Sequence, residues 1–295
     1  MRVLIVGCGY VGLPLGADLA RRGHHVAGLS RSASDEFRKF GMTPLSADIT
    51  RPESLKALPR DYDWVVNCVA SGGGGVEDYR RLYLQGTRNL IEWLATGSNV
   101  APRFVYTSST GVYGQNDGSL VDETSPTEPQ SETAKVLVET EQTLLNAVRE
   151  AKLSAMIIRA AGIYGPGRGY LLKQFLRGEA RIEGAGARTL NMIHRDDLIG
   201  IINAALERGQ AGGIYNAVDD EPVSQLDFFR WLSTKLNKQL PPTAPEDATA
   251  PRKRGLTNKR ISNRKLKQEM GYQFKFPNYR AGYTAEIERL EESAG

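Results

Sequence analysis

The sequence predicts an α/β fold with a doubly wound parallel sheet and a smaller C-terminal lobe. Short β-branched runs alternate with amphipathic helical segments through the first half, the first run ends in a glycine-rich turn, and the pattern changes after Tyr164. Strands separated by helices pair in parallel through right-handed crossovers. We expect the sheet domain over 1–165 and the lobe over 166–295, with 190–220 returning to the sheet.

Six apolar segments are predicted to form the strands of this sheet, namely 2–7, 25–30, 42–49, 64–70, 103–109 and 154–165. Apolar residues at helical spacing predict helices that include 78–95, 132–151, 170–178 and 224–236. Residues 213–222 are predicted to be a strand and turn, and the Pro-rich segment 240–251 an exposed linker.

The composition is that of a globular cytoplasmic protein. The chain is 40% hydrophobic and 24% charged, which is ordinary for this class. We expect no secretory signal, and no apolar run approaches the ~20 residues that cross a bilayer. Cys8 and Cys68 lack metal spacing and are predicted to be reduced, buried thiols. With 3 histidines and no clustered carboxylates, we predict no metal site.

A basic segment, residues 252–267, carries much of the net charge of +4. It lacks the interleaved aromatic residues of many nucleic-acid surfaces. We expect a solvated surface or a site for an anionic substrate; a nucleic-acid patch is the less favoured alternative.

The first strand leads into "GCGYVG", with Gly7, Gly9 and Gly12 at the spacing of a dinucleotide-binding turn. The first glycine turns the chain, the second lets backbone N–H groups approach a pyrophosphate, and the third lets the helix pack closely. The positive end of that helix favours phosphate. We predict that this turn, including Tyr10 and Val11, binds a dinucleotide cofactor.

The end of the second strand distinguishes the two nicotinamide dinucleotides. A carboxylate there would repel a 2′-phosphate, but the residues are Ser30, Arg31 and Ser32. Arg31 offers a forked charge that suits a phosphate, so we predict NADP(H), with NAD possible; otherwise Arg31 stacks on adenine or faces water. Asp48, followed by Ile49, either borders the adenine or caps a helix.

Several ordered motifs together resemble the extended short-chain dehydrogenase/reductase family, whose members are often labelled NAD-dependent epimerase/dehydratase. They are the glycine turn, "SADIT", "YTSSTGVYG", Lys135 with Glu139, "RAAGIYGPGR", "MIHRDDL" and "GGIYNAVDDEPVS". The resemblance covers nearly the whole chain. It implies a Rossmann-type sheet that binds NAD(P) and a C-terminal substrate lobe.

In this family a Ser or Thr, a Tyr and a Lys cooperate in hydride and proton transfer. By position these are Ser109, beside Ser108, then Ser131 in place of the tyrosine, and Lys135, which would also hold the nicotinamide ribose. A serine is a far weaker acid than a phenol (pKa ~10) and is shorter, so the chain resembles the atypical members that lack the tyrosine.

The missing tyrosine leaves three alternatives open. Tyr113 or Tyr164, both in "YG" turns, replaces it, although each ring is better explained as packing over its turn. Alternatively, Ser109 with a water or a substrate group handles the proton. In the third alternative no redox chemistry occurs and the nucleotide is structural or sensed.

Other positions depart from the sugar-nucleotide pattern of the family. Gly162 and Tyr83 stand where asparagines are expected, and Leu190 where an arginine is expected, with Arg188 nearby. These changes favour a smaller carbonyl, lactone or sugar-like substrate. The fourth strand leads through Val69, Ala70 and Ser71 into a glycine run at 71–75 that either borders the cofactor or is a plain surface loop.

The histidine of "IHRDD", His194, is interpreted as a structural residue beside an N-capping Asp196 rather than as a catalytic acid. Two functions follow from these observations. The first is an NADP(H)-dependent oxidoreductase or epimerase, as a monomer or homodimer; the alternative is an NAD(P)-binding regulatory or scaffolding protein.

Overall fold

A computed structural model describes residues 1–32, 35–97, 101–245 and 257–292. Its centre is a seven-stranded sheet in which every pair of neighbours is parallel. The strands of the described chain are β1 (Arg2–Val6), β2 (His25–Ser30), β3 (Met42–Ser46), β4 (Trp64–Asn67), β5 (Arg103–Ser109), β6 (Leu120–Val121), β7 (Ser154–Ala160), β8 (Gly162–Tyr164), β9 (Thr189–Leu190), β10 (Met192–His194), β11 (Ile214–Ala217), β12 (Val223–Ser224) and β13 (Arg260–Ile261).

The helices cover both faces of the sheet and build the lobe. They are α1 (Gly12–Arg21), α2 (Glu36–Lys39), α3 (Pro52–Leu55), α4 (Val76–Tyr79), α5 (Gly86–Ala95), α6 (Glu132–Arg149), α7 (Tyr170–Leu176), α8 (Arg195–Arg208), α9 (Gln225–Leu236), α10 (Arg264–Met270) and α11 (Tyr279–Glu292). A π-helical stretch, Arg80–Gln85, joins α4 to α5 without a break.

The strand order is β3-β2-β1-β4-β5-β7-β11, so the chain winds outward from β1 in both directions. The central strands are buried on both faces, as in β1, where Val3, Leu4 and Ile5 are fully buried. Continuous apolar runs of this kind are typical of a parallel sheet covered by helices. The predicted fold class is therefore confirmed. In such folds the ligand binds where the winding direction reverses, at the carboxyl ends of the strands.

A second, smaller hydrophobic cluster fills the lobe formed by α7, α9 and α11, with aromatic residues such as Phe228, Phe229 and Tyr283 at its centre. Residues 195–217 belong to the sheet's own core through α8 and β11. The cluster of the sheet also includes Leu266 and Met270 of α10. The division of the chain at residue 165 stays a prediction.

One local expectation, the sixth strand, was wrong, and two others hold only in part. The sixth predicted strand is two strands, because β7 ends at Ala160 and β8 leaves the sheet to pair with β10. In the predicted linker, Pro242 and Ala244 exchange backbone hydrogen bonds with Ile182, while 246–251 lie outside the described residues. In the basic segment, Lys259 is only 3% exposed; residues 252–256 are not described.

No helix in the described part of the chain is long and apolar enough to span a membrane.

Candidate functional site

A cleft of about 830 Å³ lies where the winding of the sheet reverses, between the carboxyl ends of β1 and β4 and their neighbours. The predicted site residues that line it are Gly7, Gly9, Tyr10, Val11, Ser30, Arg31, Asp48, Ile49, Val69, Ala70, Ser71 and Ser109. Those that do not line it are Gly12, Ser32, Ser131, Lys135, Tyr113 and Tyr164.

The glycine turn is shaped by close contacts behind it and open space in front of it. Gly7 has φ +89°, and a Cβ there would lie 2.8 Å from the backbone N of Val69. A Cβ at Gly12 would lie 2.1 Å from the carbonyl O of Gly7, so the helix packs directly on the turn. At Gly9 a Cβ would meet nothing within 4 Å. The two tight glycines therefore hold the turn, and Gly9 leaves its backbone accessible from the cleft.

The far end of the cleft carries a positive charge from β2 and an anchored carboxylate after β3. Arg31 lines the cleft. The Oδ1 atom of Asp48 accepts hydrogen bonds from the N and Oγ1 atoms of Thr50, at 2.9 and 2.8 Å. Burial opposes ionisation of Asp48. The hydrogen bonds from Thr50 and the charge of Arg31 favour ionisation more strongly, so the pKa of Asp48 is lowered. Asp48 thus closes its own turn rather than capping α3, whose N-cap residue is Arg51.

The glycine run after β4 borders the cleft, since Ser71 to Gly74 line it. Tyr83, which stands where the resembled family has an asparagine, is 5% exposed. Its hydroxyl accepts a hydrogen bond from the backbone N of Ser71 at 3.0 Å. Tyr83 therefore anchors the start of the glycine run from beneath.

Ser109 ends β5 at the cleft, and its Oγ accepts a hydrogen bond from the backbone N of Gly111 at 3.1 Å. Behind it lies a buried polar network. Ser108 donates to Glu141 at 2.5 Å, and the guanidinium of Arg159 donates to both Glu141 oxygens, at 2.7 Å for the shortest bond. These charged side chains are 4% exposed.

Tyr113 belongs to this network and not to the cleft. Its hydroxyl accepts from Arg159 and donates to Asn216, both at 2.8 Å, and the residue is fully buried. Burial raises the Tyr113 pKa, with Arg159 opposing the shift. The structure argues against Tyr113 as the replacement proton donor because its hydroxyl is already engaged on both sides.

Tyr164 lies in the core of the lobe, stacked on Tyr283 with ring centroids 4.2 Å apart. It is 2% exposed, and burial, followed by the charge of Asp219, raises its pKa. A Cβ at Gly282 would lie 2.0 Å from the Tyr164 hydroxyl. The packing interpretation, not the catalytic one, therefore describes Tyr164.

The family's tyrosine and lysine positions also lie outside the cleft. Ser131 is the N-cap residue of α6, with its Oγ 2.8 Å from Thr133 Oγ1. The Nζ of Lys135 donates to Glu132 Oε1 at 2.6 Å, and its side chain is 51% exposed. In contrast to the expectation from the motif, neither residue lines the cleft that Ser109 borders.

Sequence reasoning missed several residues that line the cleft, among them Cys8, Cys68, Arg81, Thr107 and Arg168. Both cysteines are free thiols. Burial raises the pKa of Cys8 to about 12 and that of Cys68 to about 11, so both stay protonated. Their positions directly after β1 and β4 were the signal that could have found them.

His194 is the N-cap of α8 itself, which corrects the assignment of that role to Asp196. Its Nδ1 accepts from the backbone N of Asp196 at 3.2 Å, so the neutral ring carries its proton on Nε2, 3.2 Å from Glu286. Burial lowers the His194 pKa, with the Glu286 bond opposing. Among the described residues no group of three or more His, Cys, Asp or Glu could hold a metal ion.

The chain matches the model of the NAD dependent epimerase/dehydratase family over residues 3–217. It belongs to this family. Protein YeeZ of Escherichia coli K12 is 30% identical over 285 residues, which cover 94% of this chain and 97% of YeeZ. Streptomyces 3-diazoavenalumate denitrifying reductase is 28% identical over 96% of this chain and 99% of its own.

Among solved structures, a functionally unknown conserved protein from Silicibacter pomeroyi is similar over 96% of this chain and 97% of its own, with 30% identity and a TM-score of 0.76. The family assignment extends over the sheet and all the strands that border the cleft.

Proposed function

We propose that this epimerase/dehydratase family member is an NADP(H)-dependent oxidoreductase that transfers hydride to or from a small carbonyl or sugar-like substrate. The observation that carries the proposal is the cleft, in which a closely packed glycine turn, open at Gly9, begins a ten-residue helix at the reversal point of the sheet.

The residues present fit a dinucleotide. A side chain at Gly7 or Gly12 would collide with backbone, while the open space at Gly9 suits the close approach of a phosphate. The helix has no acidic residue in its first turn, so nothing there repels an anion. Arg31 lines the far end of the cleft, with no carboxylate at 30–32, and this supports a 2′-phosphate.

A bound nicotinamide would supply or accept the hydride; the chain must then handle the proton. Ser109 is the predicted catalytic hydroxyl that lines the cleft. Because a serine is a weak acid, we propose that it orients the substrate oxygen, while an ordered water or a substrate group exchanges the proton. The likeness to a protein named a reductase supports redox chemistry.

The cofactor half of the proposal is tested by calorimetric titration of the wild-type protein with NADPH and NADH. NADPH should bind about tenfold more tightly or better, because charge-assisted bonds to a phosphate are strong. The Arg31→Met variant should lose this preference. Binding of neither nucleotide would refute the proposal.

The redox half is tested by oxidation of NADPH against a panel of small carbonyls, lactones and sugars, with Ser109→Ala as the matched variant. Turnover that falls on the order of a hundredfold in Ser109→Ala, with unchanged NADPH affinity, supports hydride transfer at this hydroxyl.

A second function, cofactor binding without turnover, is favoured by one observation. The tyrosine candidates are buried and Lys135 pairs with Glu132 outside the cleft. It predicts tight NADPH binding and no oxidation with any substrate of the panel; any turnover that Ser109→Ala abolishes excludes it.

A further inference from the structure

Arg168 is a cation of the cleft that has no role in the proposed function as described above. It lines the cleft and is solvent-exposed. Among the described residues no carboxylate lies within ion-pair distance of it, whereas Arg81, which also lines the cleft, pairs with Asp78 at 2.8 Å. An arginine left uncompensated in an open cleft has its full charge available to a ligand.

A tight turn holds the Arg168 backbone in place. The backbone N of Gly165 donates to the carbonyl of Arg168 at 2.9 Å, and the N of Arg168 donates back to the carbonyl of Gly165 at 2.8 Å. Gly165 and Gly167 have φ of +137° and +68°, which glycine adopts without strain. The Nζ of Lys173 also donates to the carbonyl of Gly167 at 2.7 Å. Such a turn lowers the entropy lost when Arg168 engages a ligand.

The guanidinium of Arg168 lies next to the glycine turn. Its Cζ is 5.1 Å from the ring centroid of Tyr10, the residue between Gly9 and Val11. Arg195 lies 5.3 Å from the same ring, but its charge is compensated by Asp196, to which it donates at 2.9 and 3.0 Å. Of the two arginines on this ring, Arg168 is therefore the one that can serve an anion.

The partial positive charge at the N-terminus of α1 is too small to neutralise a diphosphate by itself. A diphosphate carries two negative charges, while a helix N-terminus supplies the equivalent of roughly half a positive charge. A guanidinium matches phosphate oxygens with paired N–H donors.

We propose that Arg168 binds the diphosphate of the cofactor, from the loop that follows β8, while the glycine turn binds it through backbone N–H groups. This inference rests on the proposed function. It gives Arg31 and Arg168 separate tasks, since Arg31 would recognise the 2′-phosphate and Arg168 the diphosphate, while Arg81 is paired with Asp78.

Calorimetric titration with NADP⁺ and with ADP-ribose, which has the diphosphate but lacks the 2′-phosphate, separates the two tasks. Arg168→Met should weaken both ligands on the order of tenfold or more. Arg31→Met should weaken NADP⁺ alone. Arg168→Lys should fall between wild type and Arg168→Met, because it keeps the charge but loses the fork.

Arg177→Met, at an exposed position on the same lobe and outside the cleft lining, removes the same charge and should leave both affinities unchanged. Unchanged NADP⁺ and ADP-ribose affinity in Arg168→Met, with binding by the wild type, overturns this inference alone. An equal loss in Arg177→Met overturns it as well, since net charge would then explain the effect. Failure of the wild type to bind either ligand overturns the proposed function together with it.

Discussion

The first turn and the middle of helix α6 differ in what their charged side chains do. In the first turn Lys135 pairs with Glu132, and the two side chains are 51% and 62% exposed. Two turns further on, Glu141 pairs with Arg159 of β7, and both side chains are 4% exposed. The first pair lies where the resembled family carries its catalytic lysine, and the second lies behind Ser109.

The two ion pairs show that a position that matches a family motif need not be a position on which the stability of the fold depends. An exposed ion pair contributes little, because water and salt screen it. In a buried pair, removal of one partner leaves an uncompensated charge in the core. In this chain the stability of the fold therefore depends on the buried pair of Glu141 and Arg159, whereas the exposed pair of Lys135 contributes little.

Breaking the buried pair should have the largest effect on stability. Arg159→Met leaves Glu141 charged and unpaired in the core and removes a donor from Tyr113. We expect the free energy of unfolding to fall by about 3–5 kcal/mol, measured by urea denaturation.

The matched control for this variant is the double variant Arg159→Met with Glu141→Met. It should regain a large part of the loss, because two apolar side chains replace the pair. A single variant that loses less than about 1 kcal/mol would show that the buried pair behaves like the exposed one.

Lys259 should give the next largest effect, through pH. Burial lowers its pKa from an ordinary 10.5 to about 8, and its Nζ donates to the carbonyl of Tyr113 at 2.7 Å. Between pH 8 and 10.5 the unfolded chain therefore binds a proton that the folded chain has released, so this residue makes stability rise with pH. The rise amounts to roughly 3 kcal/mol across that window.

The measurement is the difference in unfolding free energy between wild type and Lys259→Met at several pH values from 7.5 to 10.5. The difference should change with pH, since the variant lacks this titration. A constant difference would mean that Lys259 titrates normally.

Lys135→Met should have the smallest effect. The exposed pair with Glu132 predicts a loss of less than about 0.5 kcal/mol. Because Lys135 does not line the cleft, NADPH affinity should stay within about twofold of wild type. A loss of affinity on the order of tenfold would show that the lysine reaches the cofactor when it binds, as the family motif implies.

The sheet could be predicted from the sequence, because central strands such as β1 and β4 are short apolar runs between helices. Such a pattern is compatible with few other structures. The glycine turn was equally readable, since each glycine answers a backbone requirement. The end of the sixth predicted strand could not be predicted from the sequence. The residues of β7 and β8 are both apolar, and the two strands are distinguished only because β8 pairs with β10.

The polar network was hidden for a different reason. Arg159 and Glu141 are 18 residues apart, and Tyr113 and Asn216 are 103 apart, so no local pattern links them. Lys259 stands in a basic run in which its neighbour Arg260 is exposed, and the sequence does not tell the two apart. Arg168 follows a Pro-Gly turn, which predicts a loop but not what the loop faces.

The reach of Tyr113 along the chain has a consequence for biosynthesis. The Tyr113 hydroxyl donates to Asn216, and the Tyr113 carbonyl accepts from Lys259; these two partners lie 103 and 146 residues further along the chain and are synthesised later. At the usual 5–20 residues per second, a ribosome needs roughly 7 to 30 seconds to deliver the second partner. During that interval a nascent chain that already carries the glycine turn and Ser109 still lacks two of the groups that bond to Tyr113, so the buried network around this tyrosine is complete only after Lys259 has been synthesised.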